Sequence, residues 1–448
     1  MIYRNLLNYL DEWRTKDNRK PLVLRGARQV GKSWLVKELG RRHFENVAEL
    51  NLEENPQDAE FVTNVSSPKD SLKLLSAKLK TEIVPGKTLL FIDEIHKSPE
   101  ALAALRYWYE KLPGLHVIAA GSLLDLTLRK LEFSMPVGRI EYCYVGPLCF
   151  SEFLCALGDS ELASLLHDYQ LDQTWPEAIH LQLMHRLKDY WIVGGMPEAV
   201  DIFCKTYSYA TTEQAKHSIT STYRDDFGKY GTKFNIDLLR QVYARVPTLI
   251  GQRAKYVSYS RDHSAKDIAE ALHILSLARV ITKVQHSSGN GIPLGAEVDH
   301  KLSKHIFVDI GLQLSLCDLD PIQLEKAEDL LLVNNGALAE QFIGQHLLYL
   351  REPYYEPELF YWERSQRNAQ AELDYLIAAG GRVVPIEVKA GAAGHMKSLH
   401  IFCEARKSKV AVRFSSMPPR REMLPNGTKL LSLPMYLVEQ VPRLLRNE

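Results

Sequence analysis

The chain has 448 residues, too many for one hydrophobic core, and reads as roughly two to four domains. Apolar residues make up 46% and charged residues 25%, the balance of a folded protein in water rather than a fibrous or disordered one. Lys+Arg and Asp+Glu both number 55, so overall charge gives no argument for a nucleic-acid partner, although a local basic surface stays open.

The six cysteines (Cys143, Cys149, Cys155, Cys204, Cys317, Cys403) contain no C-x-x-C pair and read as buried thiols of a reducing, cytoplasmic setting. Asp11 and Glu12 follow Leu6, Leu7 and Leu10 too soon for a signal peptide, and no stretch nears the roughly 18 apolar residues of a membrane span. No membrane partner is expected. Residues 3–14 place Leu6, Leu10 and Trp13 on one helical face, a packing role.

Pro21–Glu38 then reads as a short apolar strand (Leu22, Val23, Leu24), a tight loop and a helix beginning near Lys32. The loop, Gly26-Ala27-Arg28-Gln29-Val30-Gly31-Lys32-Ser33, has the spacing G-x-x-x-x-G-K-S, with Trp34 following in the first turn. Its glycines allow the main chain to wrap a phosphate chain with N–H groups, and the new helix adds the positive end of its dipole. Lys32 is placed for the β- and γ-phosphates of ATP and Ser33 for Mg²⁺.

Val47–Leu52 reads as a second strand and 70–82 as a helix. Thr88–Ile92 is a continuous apolar run ending in Asp93 and Glu94, the pattern of a strand buried on both faces of a parallel sheet. Ligands in such sheets lie beyond the carboxyl ends of the strands, so the two acids emerge beside the phosphate loop. Asp93 suits the metal shell and Glu94 the polarisation of an attacking water. After a helix over Pro99–Leu112, the run 115–120 repeats the pattern and ends at Gly121-Ser122. Ser122 suits either the neighbourhood of the γ-phosphate or the cap of the next helix. Arg139 suits either charge stabilisation on the transferring phosphoryl group, within its own subunit or a neighbour's, or an ordinary surface position.

The order GARQVGKS, LLFIDEIH, AAGS, GRIEYCYVGPLCFSEF and YWIVGGMPEAV resembles the AAA-type ATPases of bacteria and archaea. It is closer still to the branch carrying a C-terminal domain of unknown function with nuclease-like features. That family has a PLSF-x-EF-type segment after the arginine; here it is Pro147-Leu148-Cys149-Phe150-Ser151-Glu152-Phe153, with a cysteine at one position. The resemblance implies an α/β P-loop NTPase sheet with a helical lid (1–200), a helical or winged-helix domain (201–320) and a restriction-endonuclease-like α/β domain (321–448).

The residues themselves support this division. Gly194-Gly195-Met196-Pro197-Glu198 is a candidate hinge or lid boundary, and Tyr223-Arg224-Asp225-Asp226-Phe227 lies in the helical stretch beyond it. Ser264 caps an expected helix with Ile268, Leu272, Leu275 and Ala278 on one stripe. Val280, Thr282 and Val284, the turn 288–291 and His305–Val308 supply the strands of a wing. Arg240, Arg245, Arg253 and Lys255 make this region locally basic, leaving DNA or another protein as its partner. An acidic helix over 318–333 and an amphipathic one over Gly336–Leu350, carrying Glu340, lead to a hairpin of 371–377 and 383–389. Asp374 with Glu387-x-Lys389 has the spacing of the PD-(D/E)XK nuclease core, in which two carboxylates, here joined by Glu340, hold Mg²⁺ beside a lysine. Pro385 interrupts the return strand, which is expected to lie partly unpaired. Met417–Arg421 reads as a surface loop and Leu430–Leu433 as a strand.

ATP and Mg²⁺ are thus the expected ligands, and ATP hydrolysis the expected reaction. The alternatives are a Mg²⁺-dependent DNA nuclease regulated by ATP, and a nucleotide-dependent binding module with slow hydrolysis. A homo-oligomer or a protein partner is compatible with each.

Overall fold

The structure is a computed structural model that describes residues 2–63, 67–130, 138–171, 173–230, 234–319, 336–366, 369–389, 396–446 and 448, with the main chain alone at 129–130, 365–366 and 369–370. The expected acidic helix 318–333 falls almost wholly outside the described residues.

The first sheet holds β1 (Leu22–Arg25), β2 (Asn46–Asn51), β3 (Thr88–Asp93), β4 (His116–Gly121) and β5 (Glu141–Tyr144) in the order β2-β3-β4-β1-β5. Every pairing in it is parallel. The apolar runs behave as their composition requires: β4 is buried throughout and β3 at all but Asp93, because helices cover both faces. Each fully buried Leu or Ile here contributes about 1.5–3 kcal/mol through removal from water. The helix Leu6–Thr15 packs on this unit through Leu7, Leu10 and Trp13, so Leu7 rather than Leu6 belongs to its buried face.

The second sheet has β6 (Ile281–Ser287), β7 (Val298–Phe307), β8 (Leu359–Gln366), β9 (Ala369–Ala379), β10 (Arg382–Val388), β11 (Val410–Ser415), β12 (Arg420–Met423) and β13 (Lys429–Pro434), in the order β12-β13-β11-β10-β9-β8-β6-β7. The helices Ile236–Arg245 and Ala265–Leu277 precede the β6–β7 hairpin, and Ser264 caps the second by accepting from Asp267 N–H (3.2 Å). The hairpin does not stand apart as a wing. β6 lies parallel to β8 through Val284, Gln285 and His286, so the boundary drawn at 320/321 passes through one sheet.

Pro385 stays within the ladder, opposite Leu376 of β9, and the parallel pairing with β11 starts one residue later at Ile386. Part of the expected C-terminal loop is instead the edge strand β12, whose four residues are exposed and three of them charged, as suits an unpaired rim. The helix Ala337–Leu347 is not amphipathic: residues 338–347 are all buried, and its polar members are satisfied internally. All six cysteines are free, but Cys149, Cys155, Cys204 and Cys317 are only partly covered. Among the described residues no helix is long and apolar enough to cross a membrane.

Candidate functional site

Strand β1 ends at Arg25 and the loop turns into the helix Lys32–His43, with Gln29 and Gly31 at φ +64° and +93°. Gly26 is required by a close approach: a Cβ there would lie 2.2 Å from the Val145 carbonyl oxygen. Lys32 is buried, and its Nζ donates to Gly26 O (3.0 Å) and Ala27 O (2.7 Å), folding back on the loop it serves. Burial pushes its ammonium down to about 8, more than the nearby charges of Glu94 and Asp93 raise it. A phosphate chain in the loop would restore the positive form. Trp34 lies on the outer side of the first turn, 37% exposed.

The parallel register brings the tip of β3 to the same end of the sheet. Ser33 Oγ donates to Asp93 Oδ2 at 2.7 Å, so the two groups expected to hold Mg²⁺ already touch. A hydroxyl beside one carboxylate suits a hard cation that takes its other ligands from water and substrate phosphate. Burial raises the Asp93 carboxyl above its ordinary range, more than the Ser33 hydroxyl draws it down. Glu94 is fixed from two sides. Its carboxylate accepts from Ser122 N–H (3.2 Å) and pairs with His96 Nδ1 (3.0 Å). Burial pushes this carboxyl up, but the hydrogen bond and charge of His96, with Lys32 and the Ser122 N–H, outweigh it and hold the group at about 2. The Ser122 hydroxyl also lies 3.3 Å from Glu94 Oε2, so this serine positions the acid. His96, two residues past Glu94 in the segment LLFIDEIH, joins the site through this contact, which no spacing in the sequence marks.

The loop is also held by residues distant from it in the sequence. Arg4 donates through Nη1 to Val30 O (2.9 Å) and through Nη2 to Gly146 O (2.8 Å), while its Nε lies 3.2 Å from Glu152 of the Cys149-centred segment. Tyr223 Oη donates to Arg28 O (2.7 Å). The Arg28 side chain pairs with Asp226 and with Glu53 (3.0 Å), and Lys229 also pairs with both acids. The segment 223–227 thus packs against the loop through Tyr223 and Asp226.

Geometry narrows two of the expectations. Arg139 is exposed and paired with Glu110 (2.8 Å). It precedes Glu141, which is level with Leu22 at the amino ends of the strands, whereas the phosphate loop leaves the carboxyl ends. Arg139 therefore does not reach the loop of its own chain. Gly194 and Gly195 are close-packing positions rather than a hinge. A Cβ on Gly194 would meet Asp309 Oδ1 at 2.1 Å and one on Gly195 would meet Leu148 O at 2.2 Å, and the fully buried Asp309 accepts from Gly195 N–H (2.7 Å) and Leu312 N–H (3.0 Å).

The second carboxylate group lies on the large sheet. Asp374 on β9 and Glu387 on β10 flank the paired residues Tyr375 and Ile386. Asp374 Oδ2 accepts from Val388 N–H (2.7 Å), and Glu387 is ion-paired with Lys389. Glu340 is buried and paired instead with Lys304 of β7 (3.0 Å), a residue that its strand pattern had not singled out. Burial pushes both Glu340 and Glu387 up to about 7. Among the described residues no three His, Cys, Asp or Glu side chains form a group able to hold a metal ion. The three-acid Mg²⁺ site expected of Glu340, Asp374 and Glu387 does not fit.

Comparison with known proteins finds three matched segments. Residues 18–154 match the family described as AAA domain. Residues 184–323 and 335–436 match two domains of unknown function, DUF8612 and DUF4143. No curated protein matches the chain. Among solved structures it is similar to the Aeropyrum pernix ORC2 protein in its ADPNP–ADP complexes, at 12% identity over 71% of this chain and 89% of that one, TM-score 0.34. It is also similar to the Thermotoga maritima RuvB Holliday junction branch migration motor (14%, 63% and 89%, TM-score 0.30) and to C. elegans PCH-2 (12%, 46% and 65%, TM-score 0.27). The sheet, the loop and the family match make residues 18–154 a P-loop domain of the AAA type, followed by two segments whose matching families have no assigned function.

Proposed function

We propose that the chain binds MgATP in the loop Gly26–Ser33 and hydrolyses it, and that nucleotide state is read by residues 223–230 and conveyed to the second sheet. The observation carrying this reading is the contact of Ser33 with Asp93 at 2.7 Å beside a carboxylate held by Ser122 and His96. Loop N–H groups and Lys32 hold the phosphates. Ser33 and Asp93 hold Mg²⁺, which supplies charge neutralisation on the β- and γ-oxygens. Glu94 orients and polarises the attacking water, with Ser122 fixing its carboxylate. Because Arg139 lies away from its own loop, the site it could complete in this reading is a neighbouring subunit's, while its pairing with Glu110 is equally that of a surface arginine. Phosphate release with Mg²⁺ in wild type, Lys32→Ala and Glu94→Gln tests the proposal. Equal turnover in all three would end it.

DNA has limited support as a partner. Of the four basic residues in the helical segment, Arg240 is paired with Asp237 (3.4 Å) and Arg253 with Glu363 (3.1 Å). Adding duplex DNA to the same assay measures the remainder. Nuclease chemistry by Asp374, Glu387 and Lys389 rests on the register of one hairpin, and the occupation of Glu340 by Lys304 weighs against it.

A further inference from the structure

We propose that Lys304 is the resident cation of the C-terminal carboxylate cluster, so that the site spelled by Glu340, Asp374 and Glu387 is a metal-independent charge cluster. This inference does not depend on the ATPase reading. Lys304 is 1% exposed, near the end of β7. Its Nζ lies 3.0 Å from Glu340 Oε1, is ion-paired with Glu372, and sits 5.4 Å from the ring centroid of Tyr361. A buried ammonium needs compensating charge or hydrogen bonds, and here two carboxylates and an aromatic face supply them.

The surroundings leave the pair little freedom. A Cβ on Gly251 would lie 2.8 Å from Glu340 Oε2, so the carboxylate is closely walled on that side. Tyr375 Oη donates to Glu340 O (2.8 Å) and fixes the helix carrying it. A dication taking Glu340 as a ligand would have to sit against this ammonium or expel it from a position with almost no access to water. Sitting against the ammonium adds like-charge repulsion at short range, and expelling it leaves Glu340 and Glu372 without their cation. Of the other two acids, Asp374 commits Oδ2 to Val388 N–H, and Glu387 is paired through Oε1 with Lys389. Glu387 Oε2 is buried without a hydrogen-bond partner.

The test is a Mn²⁺ titration of nucleotide-free full-length protein, with free Mn²⁺ read by electron paramagnetic resonance. Wild type and Asp374→Ala are expected to bind Mn²⁺ identically. Lys304→Met is expected to gain one equivalent, at least tenfold tighter than anything in wild type, and Lys304→Met/Asp374→Ala to lose it. Because Lys304→Met leaves Glu340 and Glu372 facing each other unpaired, Lys304→Met/Glu372→Gln is the companion variant. It removes one charge with the lysine, and the same gain is expected, with folding followed by circular dichroism. An equivalent of Mn²⁺ in wild type that Asp374→Ala loses would overturn the proposal, as would a folded Lys304 variant that gains none. If neither Lys304 variant folds, the comparison of wild type with Asp374→Ala still decides it.

Discussion

Replacing Glu94 with Gln separates nucleotide binding from turnover. The glutamine is nearly isosteric and keeps an oxygen for the Ser122 N–H, which the carboxylate accepts at 3.2 Å, so the side chain stays in place. It loses the negative charge that His96 and Lys32 maintain against burial. General-base and water-positioning groups contribute roughly 10²–10⁴-fold to rate, and efficiency falls when the base's pKa lies far below the working pH. A carboxyl held at about 2 is a weak proton acceptor. Glu94 therefore acts mainly by orienting and polarising water, and the expected loss lies at the low end, about a hundredfold or ~2.7 kcal/mol of barrier. ATP affinity should change less than threefold, because the loop residues are untouched. Phosphate release at saturating MgATP, with affinity from a fluorescent nucleotide, measures both quantities. Turnover within threefold of wild type would refute the assignment. A loss of affinity matching the loss of turnover would show that Glu94 shapes the site instead.

Lys32→Ala should weaken ATP binding by roughly 10–150-fold, the worth of a charged hydrogen bond of about 1.5–3 kcal/mol, as read by calorimetry. Its melting temperature without nucleotide should barely move, since Lys32 Nζ contacts only loop carbonyls of Gly26 and Ala27. Arg139→Ala should bind ATP normally yet turn over slowly, and mixing it with Lys32→Ala should restore activity if the arginine works between subunits; no recovery at any ratio excludes that role. Burial pushes His305 down to about 3 and His116 down to about 4, so both are neutral when folded and charge on unfolding. Their contribution is complete above the ordinary histidine value near 6.5 and is lost as pH falls towards 3–4. The urea midpoint should fall over that window, and less steeply in His305→Gln. Gly195→Ala forces a methyl to 2.2 Å from Leu148 O and should cost about 3 kcal/mol, lowering the melting temperature by about 3 °C in calorimetry.

The nucleotide site was legible because its signals are local. A contiguous loop motif and an apolar strand ending in Asp93 and Glu94 determine where those groups emerge, and a parallel sheet brings them together. The supports of the site come from far away: Arg4 reaches Val30 across 26 residues and Tyr223 reaches Arg28 across 195. No periodicity encodes such a pairing. Gly194-Gly195 was misread for a different reason, since a Gly-Pro break looks the same whether it permits motion or close approach. Helix 337–347 looked amphipathic because Glu340, Gln341, Gln345 and His346 are polar. Inside the fold, Gln341 accepts from Phe307 N–H (2.8 Å), Gln345 from Ile310 N–H (2.9 Å) and His346 from Phe150 N–H (3.0 Å). Polar residues that join elements are invisible to a pattern that sorts only by polarity.

These contacts also rank the routes by which a bound nucleotide could act on the rest of the chain. Asp309 is fully buried and accepts from Gly195 N–H, Leu312 N–H and Gln345 Nε2 (3.3 Å). Opening that knot would leave several buried polar groups unpaired at about 1–3 kcal/mol each, so Leu148, Gly195 and the start of the helix Ile310–Leu316 should move as one. The segment 223–230 is built differently. Arg28, on the loop itself, keeps 23% of its side chain exposed, while its partners Asp226 and Glu53 are both also paired with Lys229. A triphosphate drawing Arg28 away would leave Lys229 shared between the two acids and Lys97 still on Glu53 (3.5 Å). The cheap rearrangement is therefore release of Arg28 from Asp226, which makes the segment after the helix Tyr209–Asp225, and not the double glycine, the place where the proposed switch responds to ATP.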